Sequence, residues 1–142
     1  MQAGQTMNPH VAVITLGVRD LARARRFYCE GLGWPIQQED YNWVCFSLGD
    51  GRSALALYPW DALAQDATVP ADGSGFRGVT LSYNVRSDER VDEVLAEAER
   101  AGGKVVKHAE RASWGGYSGY FADVEGYLWE VATGATQLPF SE

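Results

Sequence analysis

The chain has 142 residues, a formal net charge of −7 and a hydrophobic content of 46%. This length fits one domain with a substantial core. The negative charge argues against nucleic-acid binding, which depends on clustered Lys and Arg side chains. The segment 1–6 lacks the basic start and apolar run of a signal peptide, and no apolar stretch approaches the length of a membrane span. We therefore expect a soluble cytoplasmic protein that binds neither nucleic acid nor membrane.

The first part of the chain predicts a strand, a helix and a hairpin. The β-branched apolar run at 10–18 is typical of a strand. Asp20 is expected to cap a helix that stops at Gly31. Residues 42–48 and 53–58 then predict two strands joined by a tight turn.

The segment 59–77 predicts a connector, because proline and glycine interrupt it repeatedly. Only residues 61–64 have the composition of a short helical turn. A loop of this length inside a compact domain acts either as a joint or as a lid.

The pattern then begins again. A strand is predicted over 78–85, and Ser87 is expected to cap a helix that carries an apolar stripe. A strand over 104–108 follows, and a hairpin over 117–132 ends the second unit. In that hairpin Glu130 takes the opposite face from its two apolar neighbours.

The two halves match along the sequence. The segment Phe46–Gly51 corresponds to Phe121–Gly126, and Gly31–Gly33 corresponds to Ala101–Gly103. We therefore predict a single α+β domain of tandem β-α-β-β-β modules, pairing into an open, curved mixed sheet with a concave cleft. The boundaries fall at about 10–58 for module one, 59–77 for the connector and 78–134 for module two.

Several stretches resemble the vicinal oxygen chelate superfamily, which includes glyoxalases, bleomycin-resistance proteins and extradiol dioxygenases. The segments Val13–Leu21, Phe27–Tyr28 and Gly31–Trp34 are similar to the start of a first module, and Asp123–Val131 is similar to the end of a second. The resemblance covers nearly the whole chain. It implies a fold, but it does not by itself assign a reaction.

Enzymes of this superfamily hold a divalent metal with four side chains. The resemblance places those positions at Val13, Ala56, Thr80 and Glu130. Val13 and Ala56 have no donor atom, Thr80 has a neutral hydroxyl, and one carboxylate cannot hold a transition metal well. We therefore expect no metal site and no cofactor.

Glu130 occupies one ligand position without its partners. Three roles stay open for this side chain: a structural remnant hydrogen-bonded to Thr80 or Ser82, an anchor for a ligand amine or hydroxyl, or a general base. No catalytic residue is assigned beyond Glu130 as a candidate.

Strand alternation predicts a polar floor made of Thr80, Ser82, Asn84 and Glu130. Aromatic rings in hairpins and loops could stack on a flat or cationic ligand, or could instead fill the core or a dimer interface. The predicted ligand-binding set consists of Trp43, Tyr58, Thr80, Ser82, Asn84, Trp114, Tyr117, Tyr120 and Glu130.

These features favour a protein that binds a small, partly aromatic or cationic molecule without a metal. Because the resemblance implies pairing of modules across chains, we expect a homodimer. One alternative is an enzyme, either a metal-free isomerase or lyase with Glu130 as base, or a metal-dependent lyase or dioxygenase whose ligands are aligned differently. Another is an interaction module whose cleft is filled by its own loops.

Overall fold

A computed structural model describes residues 7–49 and 51–142. The N-terminal segment 1–6, which is not expected to be a signal peptide, and Asp50 in the first predicted hairpin turn lie outside the described residues. Module one contains β1 (Val13–Val18), α1 (Leu21–Arg26) continued by a π-helical turn (Phe27–Gly31), β2 (Ile36–Asp40), β3 (Trp43–Ser47) and β4 (Ala54–Pro59). The connector contains α2 (Trp60–Ala67), and module two contains β5 (Thr80–Asn84), α3 (Asp88–Arg100), β6 (Lys104–Arg111), β7 (Tyr117–Ala122) and β8 (Leu128–Thr133).

Each module forms one four-stranded mixed sheet. The strand orders are β1-β4-β3-β2 and β5-β8-β7-β6, with the first pair parallel in each sheet and the other pairs antiparallel. The equivalent orders agree with the predicted duplication, and the predicted α+β fold class is confirmed. Strand β2 was missed because its residues are mostly exposed and polar. Helix α2 extends well beyond the single turn predicted within the connector.

Both predicted helix caps are confirmed. The Asp20 carboxylate accepts a hydrogen bond of 3.0 Å from the Arg23 backbone N–H at the start of α1. The Ser87 hydroxyl accepts one of 3.1 Å from the Arg90 backbone N–H at the start of α3. In each case a side-chain oxygen satisfies an amide that has no partner within the helix.

The two modules share one hydrophobic core. Alternate residues of each sheet, here called the inner face, pack against α1, the π-helical turn and α3. The rings of Phe121 and Trp129 from module two are stacked, with centroids 5.9 Å apart, and Phe27 of module one packs beside them. The opposite, outer faces of the two sheets therefore point away from this common core.

A buried polar network crosses the joint between the modules. The Tyr28 hydroxyl donates to Asp123 Oδ2 at 2.6 Å and accepts from Trp129 Nε1 at 3.2 Å. Asp123 Oδ1 accepts from the backbone N–H groups of Glu125 and Tyr127. Burial raises the pKa of Asp123, whereas the hydrogen bonds from Tyr28 and from the two amides oppose that shift.

Glu125 joins the modules at a second place. Its two carboxylate oxygens accept from the backbone N–H groups of Arg19 at 2.7 Å and Asp20 at 2.9 Å. A negative charge at a helix start is favourable because the helix dipole is positive there. A side chain of module two thus helps to begin α1 of module one.

The described residues contain no helix with the length and apolar character required to cross a bilayer.

Candidate functional site

The outer face of module two places Glu130 at the centre of a polar patch. Glu130 on β8 is paired in register with Ser82 on β5 and with Tyr120 on β7, so all three side chains project on the same face. Glu130 and Tyr120 are half-buried, while Ser82 and Thr80 are exposed. The pKa of Tyr120 is raised by burial and by the negative charge of Glu130, which keeps the phenol protonated beside the carboxylate.

Asn84 lies further along the same face, but the C-terminal segment occupies its amide. Asn84 Nδ2 donates to the Pro139 carbonyl at 2.9 Å, and the Asn84 carbonyl accepts from the Glu142 backbone N–H. Of the predicted polar floor, Ser82, Thr80 and Glu130 therefore stay open, whereas Asn84 is held by the chain itself.

The centre of the outer face of module one is small and apolar. Cys45, Ala54 and Ala56 form a compact buried cluster, with Trp43 packed against it. Burial raises the pKa of the Cys45 thiol, so this group is held neutral. This face offers contact area and an aromatic edge, and the exposed Asp40 of β2 is paired in register with Trp43.

The four positions implied by the resemblance offer few metal-binding side chains. In both sheets they lie on a diagonal, because Ala56 pairs with Thr15 rather than Val13, and Glu130 pairs with Ser82 rather than Thr80. The offset is the same in both sheets. Glu130 is the one strong ligand among them, and within residues 7–49 and 51–142 no group of three or more His, Cys, Asp or Glu side chains is arranged to hold a metal ion. The donor set does not fit a divalent metal.

The remaining predicted rings are dispersed. Tyr58 pairs with Gly17 and is half-buried on the outer face of module one. Trp114 lies in the turn between β6 and β7, with 52% of its surface exposed. Tyr117 lies on the inner side of its sheet, where its hydroxyl donates to Asp92 of α3 at 2.8 Å. The structure does not bring Trp114 or Tyr117 together with Glu130.

An arginine and aromatic cluster beside the connector was not predicted. The Arg19 and Arg77 guanidinium carbons lie 4.4 and 5.0 Å from the centroid of the Trp60 ring, and Arg77 also lies 4.3 Å from that of Tyr127. Trp60 donates its indole N–H to the connector at Ala71. Through these contacts Trp60 holds the connector in place. No local motif in the sequence indicates them.

Comparisons with known proteins agree with this architecture. The family model described as Glyoxalase/Bleomycin resistance protein/Dioxygenase superfamily matches residues 9–131. A glyoxalase-related enzyme from Fulvimarina pelagi is 31% identical, with a TM-score of 0.78 over 95% of this chain and 100% of that chain. A lactoylglutathione lyase from Agrobacterium tumefaciens is 24% identical, with a TM-score of 0.67 over 89% of this chain and 95% of that chain. A comparison with curated protein sequences finds no match.

The duplicated modules and their two mixed sheets therefore define a protein of the vicinal oxygen chelate type. The chain belongs to the glyoxalase/bleomycin resistance protein/dioxygenase superfamily.

Proposed function

We propose that the outer faces of the modules form a cleft that binds a small, partly aromatic or cationic molecule without a catalytic metal. The observation that carries this proposal is the chemistry of the four superfamily ligand positions. They retain one carboxylate, Glu130, which is flanked by Ser82 and Tyr120 instead of by further metal ligands.

The chemistry of the two faces supports this class of ligand. Glu130 supplies a negative charge that would attract an amine, and the Ser82 hydroxyl beside it can donate or accept a hydrogen bond. On module one, Trp43 offers a ring for stacking or for a cation–π contact. That ring packs against the cluster that contains the short side chains of Ala54 and Ala56.

The shared core supports a homodimeric cleft. Since the outer faces of one chain point away from each other, a second copy is needed to place a module-one face opposite a module-two face. Within the described residues, β1 and β5 each pair on one side only. Val13 on β1 and Val79 beside β5 are 44% and 55% exposed. Pairing of these edges between two chains would cover both side chains.

A thermal-shift panel of aromatic amines and neutral aromatic analogues tests the proposal, with and without EDTA and with added zinc. We expect an amine to raise the melting temperature equally with and without EDTA. Glu130→Gln should lower its affinity about tenfold. The matched variant Glu99→Gln, on an exposed part of α3, should bind as the unaltered protein does. Stabilisation that requires zinc would overturn the proposal.

Light scattering of the purified protein tests the dimer separately. A mass of twice the chain is expected at micromolar concentration. A monomer that still binds the amine would refute the shared cleft but not the ligand class.

A metal-free enzyme is the second candidate, and the pair Glu130 and Tyr120 favours it. A carboxylate beside a phenol that holds its proton combines a proton acceptor and a proton donor on one face. Once a ligand is known, Glu130→Gln separates the two functions. Turnover lost with binding retained would indicate catalysis.

A further inference from the structure

A pocket lies at the joint between the modules, on the inner side of the module-two sheet and therefore away from Glu130. Its volume is about 240 Å³. The rings of Trp34, Phe121 and Trp129 line it together with Val94 of α3. We call it the joint pocket. Pockets for drug-sized ligands begin at about 300 Å³, so this one suits a molecule built around a single ring.

Two polar groups that line the joint pocket already bind a carboxylate. Arg90 Nε and the Tyr83 hydroxyl each donate to a side-chain oxygen of Glu142. Arg86 fixes the same segment by donating to the Glu142 carbonyl and, at 2.8 Å, to Gln137. The pKa of the Glu142 carboxyl is lowered, chiefly by its hydrogen bond with Arg90. The C-terminal segment therefore holds an ionised carboxylate beside an aromatic cavity.

We propose that the joint pocket binds a small aromatic monocarboxylate, whose carboxylate replaces that of Glu142 at Arg90 and Tyr83 while its ring packs against Trp34 and Trp129. Glu142 is then an internal competitor for the site. An aromatic ring gains from edge or offset contacts with the indoles, and the guanidinium provides a charged donor for the carboxylate.

A negatively charged side chain in the wall of the joint pocket should also disfavour ligands with two negative charges. Glu97 lies in its wall and is half-buried. A second negative charge on the ligand would approach this carboxylate at a cost, because like charges repel more strongly where water is partly excluded. Monoanions should bind better than dianions of the same size.

Competition by the tethered Glu142 has a quantitative consequence. When the binding-competent state is only partly populated, the apparent dissociation constant rises by the inverse of that population. Weakening the attachment of Glu142 should therefore tighten binding of an external carboxylate. A segment that only stabilises the fold would produce no such gain.

Phenylacetate, with neutral phenylacetamide as its analogue, is the probe. Binding to the full chain can be followed by calorimetry and by the indole ¹⁵N signal of Trp34. We expect Glu142→Gln to bind phenylacetate about tenfold more tightly than the unaltered chain, and Arg90→Gln to bind it at least tenfold more weakly. Phenylacetamide should not bind. Glu93→Gln is the matched control, because Glu93 also pairs with Arg90 but is not among the residues that line the pocket.

Three results would overturn the proposal: equal affinity of Glu142→Gln and the unaltered chain, equal binding of the acid and its amide, or no binding of phenylacetate at millimolar concentration. If Arg90→Gln fails to fold by circular dichroism, Arg90→Lys takes its place and should retain weakened binding. Glu130→Gln should bind phenylacetate unchanged, so this test stands apart from that of the outer-face cleft.

Discussion

Replacing Tyr28 with phenylalanine removes one oxygen atom from the joint between the modules. Tyr28 is fully buried and Asp123 is 5% exposed, so water cannot readily replace the lost contact. The variant leaves Asp123 Oδ2 without its 2.6 Å donor and Trp129 Nε1 without its acceptor. It changes no apolar packing, because the ring stays.

The expected loss of unfolding free energy is about 3 kcal/mol at pH 7. A hydrogen bond to a charged group contributes about 2 kcal/mol, and an unsatisfied buried donor costs about 1 kcal/mol. For a chain of this size, that corresponds to a fall in melting temperature of about 10 °C.

The loss should also depend on pH. Burial raises the pKa of Asp123 above its unfolded value, so the folded protein binds this proton more tightly than the unfolded chain does. The contribution of Asp123 to the free energy of unfolding is therefore most favourable below the pKa of Asp in the unfolded chain, about 4. It decreases as the pH rises through the pKa of Asp123 in the folded protein. The Tyr28 hydrogen bond lowers the pKa of Asp123, so its removal raises that pKa further. The loss in Tyr28→Phe should shrink as the pH falls from 7.

Urea unfolding at several pH values measures both effects. Tyr41→Phe is the matched control, because Tyr41 is 93% exposed, and its change should stay within about 0.5 kcal/mol. A loss below 1 kcal/mol at pH 7, or one that increases toward acid pH, would refute the assignment of this network as a stabilising contact between the modules.

Three further predictions concern other contacts. Glu125→Gln should lower stability by about 1 kcal/mol in urea unfolding, because it removes the charge and one of two acceptors at the start of α1. Gly31→Ala should cost about 1–3 kcal/mol in the same assay, since a Cβ there would lie 2.5 Å from the Cβ of Ala101. Glu130→Gln should lower the pKa of Tyr120, measured by ¹³C NMR of the phenol, because it removes a neighbouring negative charge.

A specific result would contradict each of these three predictions. Gly49→Ala is the control for the glycine variant, because a Cβ at Gly49 meets no atom within 4 Å. Equal stability of the two alanine variants would show that the π-helical turn and the residue after α3 adjust freely at their contact. An unchanged Tyr120 pKa would show that Glu130 is too far away to act on the phenol, and an unchanged stability of Glu125→Gln would remove its role as a cap.

Much of the fold was predictable because its signals are local. Asp20 and Ser87 cap helices through atoms three residues away, and such contacts are readable from the sequence. Strand β2 was missed because an exposed polar edge strand shows neither alternation nor an apolar run. In β7, side chains alternate between the two faces of the sheet. Tyr117 and Tyr120 are three residues apart and therefore lie on opposite faces.

Part of the candidate site was predictable, because strand alternation places Thr80, Ser82 and Glu130 on one face. The contacts between the modules were not predictable, because their partners are distant in sequence. The contacts of Tyr28 with Asp123, and of Glu125 with the start of α1, span about a hundred residues and depend on how the modules dock. No local pattern encodes that docking. It arises from the shared burial of both inner faces.

The hydrogen bond between Tyr28 and Asp123 joins two positions at which the sequences of the two modules differ. In the matched alignment, Ala98 stands where module one has Tyr28, and Leu48 stands where module two has Asp123. Module one thus supplies only the donor, Tyr28, and module two supplies only the acceptor, Asp123. Two identical copies of either module could not form this hydrogen bond. The two modules are therefore no longer interchangeable at their joint.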